Sequence, residues 1–182
     1  MPQIQLAASE RVSTIVEHLY AWQPELLIGY ASMMRVLADE QLAGHLQIAP
    51  CSVLCSSEVL TQETRRRAVQ AWGESLFNAY SATECGMGAE CDQHRGMHLM
   101  EDLAIVEVVD QDNRLVPPGA YGDKLLITTL FKYTQPLIRY ELDESVRLSL
   151  DPCPCGRPFR LVDDVQGRVE RCCPLWVRLV EA

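Results

Sequence analysis

Apolar positions in the first half of this chain alternate between two rhythms. Val12, Ile15, Val16, Leu19 and Tyr20 recur three and four apart and predict one face of a helix. Residues 25–30 (ELLIGY) read as a short buried strand. Ser32 stands where a side chain can cap a following helix carrying Met33, Val36 and Leu37. Residues 52–56 predict a second strand, Thr61 caps a helix running to about Trp72, and residues 75–80 predict a third strand. Such a β-α-β-α-β order implies a parallel sheet with right-handed crossovers.

After residue 90 the rhythm changes. Residues 98–109, 123–130 and 136–142 are strand-like, separated by the turn-rich segments 110–114 and 117–119. With no crossover helices, this half is expected to be antiparallel, a small distorted barrel or curved sheet. The fold class expected is therefore α/β: the end of a parallel β-α-β subdomain, then an antiparallel β-rich subdomain. The boundaries expected are 1–90, 91–170 and a divergent tail at 171–182.

Composition narrows the function classes. Of the 182 residues, 48% are hydrophobic, enough for a packed core, and the formal net charge of −9 opposes binding to nucleic acid or an anionic membrane. The basic run Arg65-Arg66-Arg67 reads as a solvated helix face. The first residues lack the charged start and apolar core of a secretory leader. No apolar run approaches the about 20 residues that cross a bilayer. A cytoplasmic setting follows, in which the eight cysteines suggest thiols and metal ligation more than disulfides.

Two clusters carry chemistry. Asn78-Ala79-Tyr80-Ser81-Ala82-Thr83-Glu84 closes the third strand and opens onto a segment containing Gly86 and Gly88, read as a loop. Open α/β sheets place ligands at such strand ends. There a tyrosine can stack on a base, a threonine can bond a phosphate, and a glutamate can hold Mg²⁺. The second cluster is Cys91-x-x-His94-x-x-x-His98 together with Cys153-Pro154-Cys155-Gly156. Its best tetrahedral zinc set is Cys91, His98, Cys153 and Cys155, with His94 the alternate to His98; four protein ligands mark a structural ion. Reduced thiols and surface histidines remain the bland alternative. Cys51 and Cys55 flank a strand and read as core thiols, and Cys85 is expected near the Thr-Glu pair's ligand.

The heptad resembles the Tyr-x-x-Thr-Glu signature of the adenylate-forming superfamily, and further matches follow in that family's order. Ser56-Ser57-Glu58 occupies the place of its Gly-Gly-Glu turn. Residues 122–128 resemble its Gly-Asp-Leu strand, 136–140 its ribose-binding strand, and Gly167-Arg168 its hinge. The segments PLIRYEL and ECDQHRGMHLMED are most similar to the phenylacetate–CoA ligase branch, some members of which carry a Cys-x-Cys-Gly segment.

The resemblance implies an AMP-forming acyl-CoA ligase. A small carboxylic acid and ATP give an acyl-adenylate and pyrophosphate, then a thioester with CoA. It implies that Tyr80 stacks on adenine beside Asn78, Ala79 and Ser81, that Ser57 and Glu58 border the adenine and acyl pockets, and that Thr83 contacts phosphate. Glu84 would coordinate Mg²⁺, and Arg168 would contact phosphate or ribose. The ribose carboxylate falls on Glu144, where the family carries Asp, with Asp143 beside it. Arg171 replaces the hinge's second acidic residue.

The family's phosphate loop has no counterpart in residues 1–50, and its lid lysine none after Arg168. The expectation is thus a central fragment, inactive alone, prone to self-association or needing a complementing chain. The loss of pattern after Glu170 fits a frameshift or a divergent terminus. Two rivals stay open: adenylation of a deazaflavin coenzyme, and a non-catalytic zinc-stapled module that binds a nucleotide or partner.

Overall fold

The computed structural model describes residues 3–82 and 85–168. The elements run α1 (Val12–Trp22), β1 (Leu26–Gly29), α2 (Ala31–Leu42), β2 (Ser52–Cys55), α3 (Gln62–Trp72), β3 (Leu76–Ala82), β4 (Cys85–Glu90), β5 (Met97–Leu99), β6 (Ala104–Val109), β7 (Lys124–Thr129), β8 (Tyr140–Leu142), β9 (Glu144–Leu148) and β10 (Leu161–Arg168). The protein is α/β. Strands β1, β2 and β3 pair in parallel through helical crossovers. All later pairings are antiparallel.

One strand joins the two halves. β3 is parallel to β2 on one side and antiparallel to β4 on the other. The main sheet therefore has seven strands in the order β1-β2-β3-β4-β5-β10-β9, and β6-β7-β8 form a separate sheet. One core lies between the helices and the parallel strands, around Met34, Leu37, Leu46, Val53 and Leu76. The other gathers Met87, Leu99, Val106, Ile127, Val146 and Val162 from both sheets.

Several local expectations are corrected. Ser32 is not a cap: the N-cap of α2 is Tyr30, with no side-chain bond, and the Ser32 N–H donates to the Glu58 carboxylate at 2.8 Å. An acidic group from a distant loop thus supplies the first turn, where the helix dipole favours negative charge. The buried face of α2 uses Met34, Leu37 and Ala38, while Val36 is exposed, a rotation set by the sheet that the helix covers.

The Gly86–Gly88 segment is strand β4, not a loop. A Cβ at Gly88 would lie 2.7 Å from the His98 carbonyl oxygen, so glycine there lets β4 and β5 approach. The turn at 101–103 divides the expected strand 98–109. Only residues 140–142 of the segment 136–142 are strand. β9 and β10 were not foreseen. Cys51 is exposed, whereas Cys55 is buried. Thr61 does cap α3, accepting the Thr64 N–H at 3.1 Å. Among the described residues, no helix is long and apolar enough to cross a membrane.

Candidate nucleotide site and metal centre

A cavity of about 620 Å³ opens where β3 leaves the parallel sheet. Its walls include Ser57, Glu58, Asn78, Ala79, Tyr80, Ser81 and Glu144, residues that sequence reading singled out separately. Ser57 holds φ at 68°, the left-handed region that glycine adopts most easily. It stands at the middle of the turn where the adenylate-forming signature has glycine.

Across the cavity the Tyr80 hydroxyl donates to the Glu144 carboxylate. Asn78 donates its backbone N–H to Glu90 at 2.8 Å, while its side-chain Oδ1 is buried without a protein partner. An unpartnered buried acceptor costs free energy unless a ligand or water supplies a donor. The exocyclic amino group of adenine is such a donor, so the lining fits an adenine ring.

Asp143 lies exposed between β8 and β9 and does not line the cavity. Its neighbour Glu144 does, so the backbone turns the longer carboxylate inward. The backbone of Arg168 pairs with Glu144 in the β10–β9 register. Thr83 and Glu84, expected at phosphate and Mg²⁺, lie outside the described residues. Cys85, expected near the ligand, is buried in the antiparallel core and is not part of the cavity lining. Burial raises its thiol pKa.

The ligating atoms of Cys91, His98, Cys153 and Cys155 all lie within 4.8 Å of one another. Cys91 Sγ is 3.6 Å from Cys153 Sγ, and Cys155 Sγ is 3.3 Å from His98 Nε2. A tetrahedral zinc with ordinary bond lengths has S–S edges of about 3.8 Å and S–N edges of about 3.5 Å. These two separations match such edges, and the spread of the four donors, up to 4.8 Å, is within about 1 Å of them, so the residues present are those a tetrahedral ion would take. His98 Nδ1 lies 3.4 Å from the Phe159 carbonyl oxygen, which orients the ring and leaves Nε2 for an ion. Burial pushes the Cys91 thiol up to about 11. The Arg157 backbone N–H, the largest influence, lowers the pKa of Cys155.

His94 is elsewhere. Its ring stacks on Phe77 with centroids 5.1 Å apart, and its Nδ1 lies 3.4 Å from Arg65 Nη1 and 3.5 Å from Glu90 Oε2. Arg65 in turn meets Glu90 at 2.6 Å, and the Glu90 side chain is only 7% exposed. Arg65 is thus not part of a solvated face: it leaves the basic run to neutralise a buried carboxylate, while Arg66 and Arg67 pair with Glu63 and Asp39. Sequence reading missed Arg65 and Glu90. The available signal was the placement of Glu90 at a strand end beside Cys91, which looks like an ordinary charged edge until β4 is recognised.

This fold, with a cavity at the switch from parallel to antiparallel pairing, is that of the adenylate-forming enzymes, in a form resembling the phenylacetate–CoA ligase branch. The chain is 29% identical to a phenylacetate-coenzyme A ligase of Thermus thermophilus over 82% of its own length and 35% of that protein. It is 27% identical to the Pseudomonas putida enzyme of the same name, over 84% of the chain and 36% of the relative. A crystal structure of 2-hydroxyisobutyryl-CoA ligase in the postadenylation state, in complex with R3-HIB-AMP, superposes with a TM-score of 0.79 at 26% identity, covering 90% of this chain and 37% of that one. The chain thus spans about a third of the length of the curated relatives that it matches. No protein-family model matches it.

Proposed function

We propose that this chain is the adenine- and ribose-binding part of an AMP-forming acyl-CoA ligase, with a structural zinc beside the nucleotide cavity. The observation that carries this reading is the convergence of Tyr80, Glu144 and the orphaned Asn78 Oδ1 on one cavity, in a chain similar to phenylacetate–CoA ligases. Tyr80 supplies a face for the base, Asn78 accepts from the 6-amino group, and Glu144 accepts from ribose hydroxyls. The reaction of the protein containing this segment is carboxylate plus ATP to acyl-adenylate and pyrophosphate, then thioester formation with CoA. Thr83, Glu84 and Arg168 are assigned to phosphate and Mg²⁺ by their places in the motif.

Cys91, His98, Cys153 and Cys155 would hold the zinc, whose role is to tie the chain after β4 to the loop before β10. Four protein donors leave no position for substrate, so its contribution is to folding. The division near residue 90 into an α/β part and a β-rich part belongs to the same reading, as does a cytoplasmic setting.

Nucleotide titration by calorimetry tests the assignment. AMP is expected to bind, and IMP, whose 6-oxo group presents an acceptor to Asn78 Oδ1, to bind about tenfold or more weaker, the scale of one mismatched buried hydrogen bond. Equal binding of AMP and IMP, or of neither, would count against it.

A further inference from the structure

We infer that the metal centre and the nucleotide cavity are energetically coupled: an ion at Cys91, His98, Cys153 and Cys155 and an adenine nucleotide at Asn78 and Tyr80 each strengthen the binding of the other. This rests on the metal and nucleotide assignments made above and adds a dependence between them.

The connection is short and continuous. Glu90, whose Oε2 accepts the Asn78 N–H at 2.8 Å, is bonded directly to Cys91, the first ligand. Residues 94–97 then line the cavity, and the next residue, His98, is a ligand again. One wall of the nucleotide cavity is therefore a segment held at both ends by the metal donors.

The adjoining strand repeats the arrangement. Met97 pairs with Val162 and His98 with Leu161, and Val162 to Val165 line the same cavity. Cys153 and Cys155 precede that strand by only a few residues. At Gly96, with φ at 135°, a Cβ would lie 2.5 Å from the Val162 carbonyl oxygen, so the wall rests directly on β10 with no slack.

With the ion removed, the segment is held by the three-residue β5, the Glu90 contacts and the stacking of His94 on Phe77, none of which ties Cys91 and His98 to the loop carrying Cys153 and Cys155 as the ion would. Three thiols and an imidazole that shared a charge partner are then left facing one another. The wall relaxes and the Asn78 position is held less firmly. By linkage, a nucleotide that fixes Asn78 and its Glu90 partner favours the ligated geometry by the same factor. Glu90 is the positioning residue in this relay: it lines the cavity, holds the Asn78 backbone and is joined to the first metal donor, Cys91.

The experiment measures AMP affinity of the chain loaded with zinc and of the chain stripped by chelator, and zinc affinity with and without AMP. The expected result is a change of about tenfold in both directions, within the usual range of coupling between sites. Equal AMP affinity in the two forms overturns the inference. Glu90→Gln supplies a second arm that needs no metal-free protein. Loaded with cobalt, it should keep the thiolate charge-transfer band of the unsubstituted chain, because no ligand has changed, while its AMP affinity falls several-fold. An intact band with unchanged AMP affinity overturns the relay. AMP binding to no form defeats the nucleotide reading, absence of any thiolate–cobalt band defeats the metal reading, and either removes the inference with it.

Discussion

The Tyr80 hydroxyl donates to the carboxylate of Glu144, joining the strand that ends the parallel sheet to a strand of the antiparallel half. The two residues are far apart in sequence and come together only because β9 reaches the cavity through β10 and β5. Their roles toward a nucleotide differ, the ring offering a face and the carboxylate an acceptor. Tyr80→Ala should weaken AMP binding by about 1–3 kcal/mol, the scale of base stacking on an aromatic ring. Tyr80→Phe keeps the ring and should lose much less. Titration calorimetry on the two variants distinguishes them, and equal losses would assign the effect to the hydroxyl.

The Arg65–Glu90 pair is mostly shielded from water, with side chains 22% and 7% exposed. Removing one partner of such a pair leaves the other charge buried and unmatched. Arg65→Leu is expected to destabilise the fold by about 3 kcal/mol in denaturant titration. Arg66→Leu, at the next position of the same helix, should leave the unfolding midpoint where it is, since both Arg66 and its Glu63 partner are at the surface. Similar losses for both would mean that Glu90 finds another partner.

The parallel half was legible because each of its elements carries its own pattern. Thr61 both caps α3 and looks like a cap, and Leu76 is buried at the start of the strand read there, whereas β1, read as a buried strand, buries Leu27 and leaves Leu26 and Ile28 exposed. The antiparallel half was harder for a physical reason. β4 contains two glycines, of which Gly88 is required by the close approach of β5, and glycine is otherwise the mark of a turn. β9 and β10 are strands whose partners are distant, and Asp163 and Asp164 in β10 are charged positions matched by Arg147 and Tyr121 across strands. At the site, the closely spaced thiols and imidazole that the structure gathers were singled out from sequence, while the Arg65–Glu90–His94 group was not. Each of those three is a common surface residue until tertiary packing buries the carboxylate between them.

Cys51 and Cys55 bracket β2 and should differ in reactivity. Cys51 is exposed, whereas Cys55 is buried and its thiol is pushed up to about 11. The thiolate is the reactive form, so iodoacetamide near pH 8 should modify Cys51 and spare Cys55 in the folded chain. The linkage has a definite sign. The folded state retains a proton on Cys55 that an ordinary thiol releases at 9.0. The associated stability is complete below that value and is lost as pH rises toward 11. Peptide mapping after labelling reads the first expectation, and a Cys55→Ala variant less sensitive to alkali than the parent reads the second.

The choice between His94 and His98, which spacing alone left open, becomes a direct experiment. His98 presents Nε2 to Cys155 and holds its other nitrogen near the Phe159 carbonyl, whereas His94 stacks on Phe77 beside Arg65 and Glu90. His98→Ala should therefore purify with little zinc and show a weakened thiolate–cobalt band, as should Cys153→Ser. His94→Ala should retain one zinc per chain, because no donor has been removed. Chelator should lower the melting temperature of the parent and of His94→Ala by several degrees, and leave that of His98→Ala unchanged, since the ion stabilises only a chain able to hold it. Loss of zinc from His94→Ala with retention in His98→Ala would reverse the ligand assignment and move the metal into the nucleotide cavity.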